Sequence, residues 1–288
     1  MKKSCICILN YNNGPKTVRC ISSVLDQTLS NHRIVIVDNN STDDSLRIIQ
    51  DFLLESKLPF RFCDPTQEFR DVLPDSGEIF IIRSATNGGY SSGNNLGIKL
   101  AKSMNIFNYL LIINNDVVLE PNFLEEMIKR YEYLHEIKGL NRIALGAIEL
   151  GRSGKMIHHG FHFLHLPSGI TFASSCFPSL KYIVGSAIFV DIDAPLMDES
   201  FFLYFDDIQY SKELSSRGYL LEKSPHSRLT HEVGGTFKED VQWLIFKSMF
   251  RFYRLNYPFL LPLVVPIRIL LILYLRVKSM IKRMNHVY

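Results

Sequence analysis

Along the first half of the chain, short continuous apolar runs alternate with amphipathic stretches. Residues 5–9 form an apolar run of strand length that stops at Asn10-Tyr11-Asn12-Asn13, as expected for a strand buried on both faces. Gly14-Pro15 opens a helical stretch to about residue 26, with Val18, Ile21, Val24 and Leu25 on one side. Proline in a first turn gives up no intrahelical hydrogen bond. Residues 34–37 predict a second strand, ended by Asp38-Asn39-Asn40-Ser41, and Ser41 with Asp44 reads as a capping box for a helix through residue 54. A third strand at 79–82, a helix at 92–104 and a fourth strand at 109–113 follow, the last stopping at Asn114-Asn115-Asp116. Beyond it the pattern predicts a helix near 123–134, strands at 143–149, 156–163 and 182–190, and a helix at 208–217 closed by Gly218. Residues 59–77, with Pro65 and Pro74, read as a long surface connection or a functional insertion.

This alternation predicts an α/β fold with a mostly parallel central sheet flanked by helices. Polar clusters follow strands one, two and four, and ligands of open α/β sheets bind in the crevice beyond the carboxyl ends of the strands.

Composition narrows the function classes. The 288 residues are 47% hydrophobic and 21% charged with a net charge of +3, which suits a full core. Residues 241–288 hold eight Lys+Arg and no Asp or Glu, leaving the remainder at −5. A body of that sign lacks the basic face that nucleic-acid phosphates require, so no nucleic-acid partner is expected. The tail suits anionic lipid. Residues 259–275 are apolar except for Arg268, are interrupted by Pro262 and Pro266, and precede Arg276, Lys278, Lys282 and Arg283. Seventeen such residues with a central charge fall at the short limit of a span. An interfacial helix with its basic groups among lipid heads fits better, and a buried C-terminal helix is the plainer alternative. Cys5, Cys7, Cys20, Cys63 and Cys176 form no C-x-x-C pair, which points to a reducing cytoplasm. The run behind Lys2-Lys3 ends too soon for a signal peptide.

Several polar groups carry candidate chemistry. Asp38 closes an apolar strand, where a carboxylate can accept from a base N–H or a ribose hydroxyl; equally, Asp38 and Asn39 can simply make the turn. Asp116 lies between apolar runs, where an unpartnered carboxylate is costly. A hard divalent cation often needs only one or two protein carboxylates when substrate phosphates complete its shell. Asn87-Gly88-Gly89-Tyr90-Ser91-Ser92-Gly93-Asn94-Asn95 opens a helix and lets a phosphate or sugar approach the backbone. Its glycines do not fall as G-x-G-x-x-G, and Asn94-Asn95 stand where a Walker motif needs Lys and Ser/Thr. Asp206 and Asp207 adjoin in an aromatic run at a helix start; their repulsion raises a pKa towards that of a general base, while capping is the ordinary use of such residues. His231 suits a metal, a phosphate or a structural hydrogen bond. His158, His162 and His165 would share one helix face as zinc ligands, but their aromatic setting favours a strand.

Taken in order, Ile8-Leu9-Asn10-Tyr11-Asn12, residues 34–43, residues 87–95, Asn114-Asn115-Asp116, Gly185-Ser186-Ala187, Phe205-Asp206-Asp207 and His231 resemble the family 2 inverting glycosyltransferases of the GT-A fold. The variants are similar to the bacterial rhamnosyltransferase-type branch that builds O-antigen, capsule or cell-wall glycans. The resemblance covers roughly residues 4–240. It implies a nucleotide-binding half at 1–116, an acceptor half at 117–240 and a helical, membrane-associating tail at 241–288. It implies further that Asn10, Tyr11 and Asp38 hold the nucleoside and that Asn40, Asn87, Gly89, Asn94, Asn114 and Asn115 also bind the nucleotide-sugar. Asp116, helped by His231, would bind Mg²⁺ or Mn²⁺ on the diphosphate. Asp207 would be the base and Asp206 stands where relatives carry Glu; Gln209 replaces a further acid. The expected partners are a dTDP- or UDP-sugar donor, a lipid-linked saccharide acceptor, and the inner membrane surface through residues 257–288, with the enzyme peripheral on its cytoplasmic face. A sugar nucleotidyltransferase is a rival reading, but it needs a basic Gly-rich loop after strand one. A non-catalytic glycan- or lipid-binding scaffold is a second.

Overall fold

The computed structural model describes residues 2–67, 78–175, 177–231 and 239–284. Its strands are β1 (Ser4–Asn10), β2 (His32–Asp38), β3 (Phe60–Cys63), β4 (Ile79–Arg83), β5 (Tyr109–Asn114), β6 (Val117–Leu119), β7 (Ile143–Leu150), β8 (Met156–His158), β9 (Phe161–His165), β10 (Ile170–Phe172), β11 (Ser179–Ile183), β12 (Ala187–Asp191) and β13 (Leu220–His231). The helices are α1 (Gly14–Leu25), α2 (Ser45–Glu55), α3 (Gly89–Ser103), α4 (Phe123–Lys138), α5 (Asp206–Ser216), α6 (Glu239–Asn256) and α7 (Leu261–Met284).

The main sheet runs β3-β4-β2-β1-β5-β12-β7-β13-β6, with β8 on β7. Strands β3, β4, β2, β1 and β5 are mutually parallel, and β12 enters antiparallel between β5 and β7. Side chains of a strand alternate faces, and both faces here are covered. Ile6 and Ile8 pack with Ile21, Ile49 and Met127 from α1, α2 and α4, while Cys5 and Cys7 pack with Ile98 of α3. Hence β1 reads as an unbroken apolar run.

The differences from the sequence reading have local causes. Ser41 does not cap α2: its Oγ donates to Asp38 Oδ1 at 2.5 Å, and α2 begins after Asp44 with no side-chain cap. The single strand expected at 156–163 is two. Gly160, at φ +89, turns the chain so that β8 stays on β7 while β9 joins a separate sheet, β10-β9-β11. The strand expected at 182–190 also divides, at Val184-Gly185-Ser186. Residues 60–63 of the expected long connection form edge strand β3; residues 68–77 lie outside the described residues, as do Cys176 and residues 232–238.

The first part of the basic tail belongs to the packed body. Met249, Phe252 and Tyr253 of α6 and Val264 of α7 are buried with Leu164, Tyr182, Phe201, Phe205 and Ile208. Arg268 Nη2 on α7 donates to Gln242 Oε1 on α6 at 2.9 Å.

Candidate active site

Strands β1, β2 and β5 end side by side, so their terminal polar residues meet. Asn10 Nδ2 donates to Asp38 Oδ1 at 2.7 Å and to Ser41 Oγ at 2.9 Å. Asn10 Oδ1 accepts from Thr17 Oγ1 at 2.6 Å and from Asn115 Nδ2 at 3.2 Å. Asn10 and Asp38 are 0% and 1% exposed, and their polar atoms satisfy one another. They hold the floor of the site in shape. Asn40, at φ 61, makes the left-handed turn after β2.

Above this floor lies a cleft of about 460 Å³, lined among others by Tyr11, Asn39, Asn87, Gly89, Tyr90, Asn114, Asn115, Asp116 and Phe202. Tyr11 is 45% exposed and free to lie against a base. Asn39 Nδ2 donates to Asn87 Oδ1 at 2.9 Å and to the Gly89 carbonyl at 3.0 Å, pinning the Gly-rich loop to the end of β2. Gly89 sits at φ +84, and a Cβ there would lie 2.1 Å from the Phe202 carbonyl. Asn94 does not line the cleft. It is buried in α3, where its Nδ2 donates to the Tyr90 carbonyl at 3.0 Å.

One wall carries charge. His231 Nε2 lies 3.2 Å from Asp116 Oδ1, and Lys16 Nζ lies 3.8 Å from Asp116 Oδ2. The other imidazole nitrogen, Nδ1, is 3.0 Å from Glu149 Oε2, and the second oxygen of buried Glu149 accepts from Ser186 Oγ. Burial works against charge on His231, but its hydrogen bonds to Asp116 and Glu149 outweigh it and lift the imidazole to about 9. Burial likewise works to raise Asp116, and the hydrogen bond and charge of His231 with the charge of Lys16 hold it below the usual carboxylate range.

The donor chemistry of this wall fits a hard divalent cation. Ligands about 2.1 Å from an octahedral ion stand about 3 Å apart, close to the separation of Asp116 Oδ1 and His231 Nε2. The contact from Nδ1 to a carboxylate is the outer partner that metal-ligating histidines usually have. Among the described residues no third His, Cys, Asp or Glu completes a cage, which leaves a cation to share its remaining positions with phosphate and water.

Asp206 and Asp207 begin α5 behind Tyr90. The Tyr90 hydroxyl donates to the Gly185 carbonyl at 2.5 Å, and the Gly185 amide donates to Asp207 Oδ2 at 3.2 Å. Asp207 Oδ1 accepts from the Ile208 amide at 2.8 Å. The two acids are thus joined to Tyr90 through Gly185 and are not among the residues that line the cleft. Burial raises both carboxyls, Asp207 to about 6 and Asp206, with the added charge of Asp207, to about 8. The turn that aims them is strained: Tyr204 and Phe205 take φ of 65 and 59, at a cost of about 1–3 kcal/mol each. Packing of Phe205 on Phe252 of α6, with ring centroids 5.7 Å apart, holds it. Gln209 Oε1 accepts from Asn256 Nδ2 of α6 at 2.8 Å, so the residue in place of an acid ties α5 to α6.

Sequence reasoning missed Lys16, Asn39 and Glu149. Lys16 follows the Gly14-Pro15 helix start, and Asn39 lies inside the motif at 34–43, where it was read only as a turn residue. Glu149 lies between Ile148 and Leu150 in a strand, and a charge inside an apolar run is a visible sign of a paired, buried group. Of the histidine group, His158 Nδ1 and His162 Nε2 meet at 2.7 Å, while His165 turns to Ser168 Oγ at 2.8 Å, so no helix face assembles three of them.

Residues 5–144 match the glycosyl transferase family 2 model. Over 122 residues the chain is 25% identical to the glycosyltransferase GlyG of Streptococcus pneumoniae serotype 4, covering 42% of this chain and 33% of that one. Residues 1–349 of S. aureus TarS in complex with UDP share the fold with a TM-score of 0.54 at 15% identity, over 85% of this chain and 65% of that one. The mannosyltransferase PcManGT of Pyrobaculum calidifontis, in complex with GDP-Man and Mn²⁺, shares it with a TM-score of 0.56 at 9% identity, over 86% of this chain and 61% of that one. The chain thus spans about a third of its curated relative and somewhat under two thirds of these two structures. The strands that build the cleft thus lie within the stretch that matches the family 2 glycosyltransferases, and the chain has the GT-A-like α/β fold of these structures.

Proposed function

We propose that the chain transfers a sugar from a nucleoside diphosphate donor to a hydroxyl of a lipid-linked saccharide, with inversion at the anomeric carbon. The observation that carries this reading is the single cleft at the carboxyl ends of β1, β2 and β5. It has a cation-compatible wall at Asp116 and His231 and two raised carboxyls behind Tyr90. The base and ribose stack on Tyr11 over the floor kept by Asn10 and Asp38, and the diphosphate lies against Asn114, Asn115 and Asp116. A divalent cation held by Asp116 and His231 would neutralise charge on the departing nucleoside diphosphate. Asp207, deprotonated, accepts the proton of the attacking hydroxyl. Burial raises both carboxyls, and their mutual repulsion disfavours the doubly charged pair. The rhamnosyltransferase resemblance makes dTDP-rhamnose the first donor to test. Thermal shift of the purified chain with dTDP-, UDP- and GDP-sugars and Mn²⁺ reads this out. At 100 times its Kd a donor adds about 2.7 kcal/mol to stability. A protein that no nucleotide stabilises would refute the reading.

The tail supports a place at the membrane. The most apolar 18-residue window of Pro258–Lys278 has a mean hydropathy of 2.3, and 11% of that window is buried, with Leu263, Ile269, Leu270 and Leu273 exposed. Val264 and Ile272 pack inward, so α7 lies along α6 with one apolar face outward, as an interfacial helix does. Replacing Leu263, Leu270 and Leu273 by Ser is expected to lower partition onto phosphatidylcholine–phosphatidylglycerol vesicles about 10²-fold, measured by flotation. Unchanged flotation would remove the membrane from this account.

A further inference from the structure

A second groove, of about 390 Å³, runs along α6 and is lined by Ser200, Phe202, Leu244, Phe246, Lys247, Ser248, Phe250, Arg251 and Arg254. Lys247, Arg251 and Arg254 follow one another at i, i+4 and i+7, so they share one helix face. All three are exposed, and among the described residues no carboxylate lines the groove and none forms an ion pair with any of them. The rings of Phe202, Phe246 and Phe250 line the same groove. Such a surface suits an anion joined to an apolar chain: the cations meet phosphate oxygens while the rings cover hydrocarbon.

Its position gives the groove a purpose. The loop carrying Phe202 is a partition, bonded on one side to α3, where the Tyr90 amide donates to the Phe202 carbonyl at 2.7 Å. On the other side it is bonded to α6, where Ser248 Oγ donates to the Leu203 carbonyl at 2.8 Å. Phe202 lines both the groove and the donor cleft.

We infer that this groove holds the diphosphate and first isoprene units of an isoprenyl-diphosphate-linked saccharide acceptor, with Lys247, Arg251 and Arg254 on the phosphates and the saccharide passing Phe202 into the cleft. This rests on the glycosyltransferase reading above and adds to it the acceptor's anchor. The cations select the phosphates, the rings select the isoprene, and the partition sets the distance from anchor to reacting hydroxyl.

The test uses the full chain in mild detergent with farnesyl diphosphate as probe, binding being read by calorimetry. Inorganic pyrophosphate and phosphatidylcholine–phosphatidylglycerol vesicles serve as competitors. The wild type is expected to bind farnesyl diphosphate at least ~10-fold more tightly than pyrophosphate. Lys247→Gln/Arg251→Gln/Arg254→Gln should bind it ~30-fold more weakly while keeping the wild-type thermal shift with the donor nucleotide, which also shows that it folds. Arg251→Glu alone should weaken the probe ~10-fold and serves as a second, milder variant. Equal binding by wild type and variants would overturn the inference, as would equal affinity for pyrophosphate, or displacement of the probe by the phosphatidylglycerol vesicles. If no donor nucleotide stabilises the wild type but the three cations still hold farnesyl diphosphate, the transfer reading fails and the groove stands.

Discussion

Asp207→Asn is expected to lower sugar transfer by about 10³-fold while leaving donor affinity within about twofold of wild type. Removal of a general base typically costs 10² to 10⁴ in rate, and Asn keeps the size of Asp207 and, with its one acceptor oxygen, one of the two hydrogen bonds that Asp207 accepts from the Gly185 and Ile208 amides. The loss should therefore fall on kcat and not on donor binding. The pH profile gives the sign. A base works when deprotonated, and burial raises Asp207 to about 6. Wild-type activity should thus fall as pH drops through about 6, a limb well above the range of an ordinary exposed carboxylate. Residual activity in Asp207→Asn should lack that limb. Steady-state rates from pH 5 to 8 for both proteins check it; a variant that retains most of the activity, or the limb, would assign the base elsewhere.

Gly89→Ala is expected to damage both stability and donor binding. An Ala at φ +84 pays about 1–2 kcal/mol for a left-handed backbone, and its Cβ would stand 2.1 Å from the Phe202 carbonyl, inside contact distance. The Phe202 loop must move, breaking the hydrogen bond from the Tyr90 amide, which contributes about 1 kcal/mol. A combined loss of about 2–4 kcal/mol should appear as a lower urea midpoint. Donor affinity should fall about tenfold or more, because Gly89, Tyr90 and Phe202 all line the cleft. Wild-type values for both quantities would mean that the partition tolerates displacement and does not shape the site.

Much of this architecture was legible because it is local. Residues 5–9 and 109–113 announced buried parallel strands by being apolar throughout, and each stopped at Asn or Asp where the cleft opens. The acid pair and Asp116 stood out because carboxylates in apolar settings need partners. What escaped the sequence is what pairing across the sheet creates. Glu149 meets His231 only because β13 runs parallel to β7, and meets Ser186 because β12 lies on the other side of β7. The break of 156–163 into two sheets depends on Gly160 at a positive φ, and nothing in the surrounding aromatic alternation marks that turn. The reach of the body into α6 carried a signal, since Met249, Phe252 and Tyr253 recur at helical spacing, but the basic charge of the tail masked it. The strained turn at Tyr204 and Phe205 is a tertiary effect, held by packing on Phe252.

Proton NMR of the first sugar that the chain releases from its donor, with Mn²⁺ present and water as the nucleophile, tests the central proposal of one in-line displacement assisted by Asp207. The expected product carries the anomeric configuration opposite to the donor's before it mutarotates, and Asp207→Asn should abolish its appearance. A first product of the same configuration as the donor, or an unchanged signal from Asp207→Asn, would contradict the account.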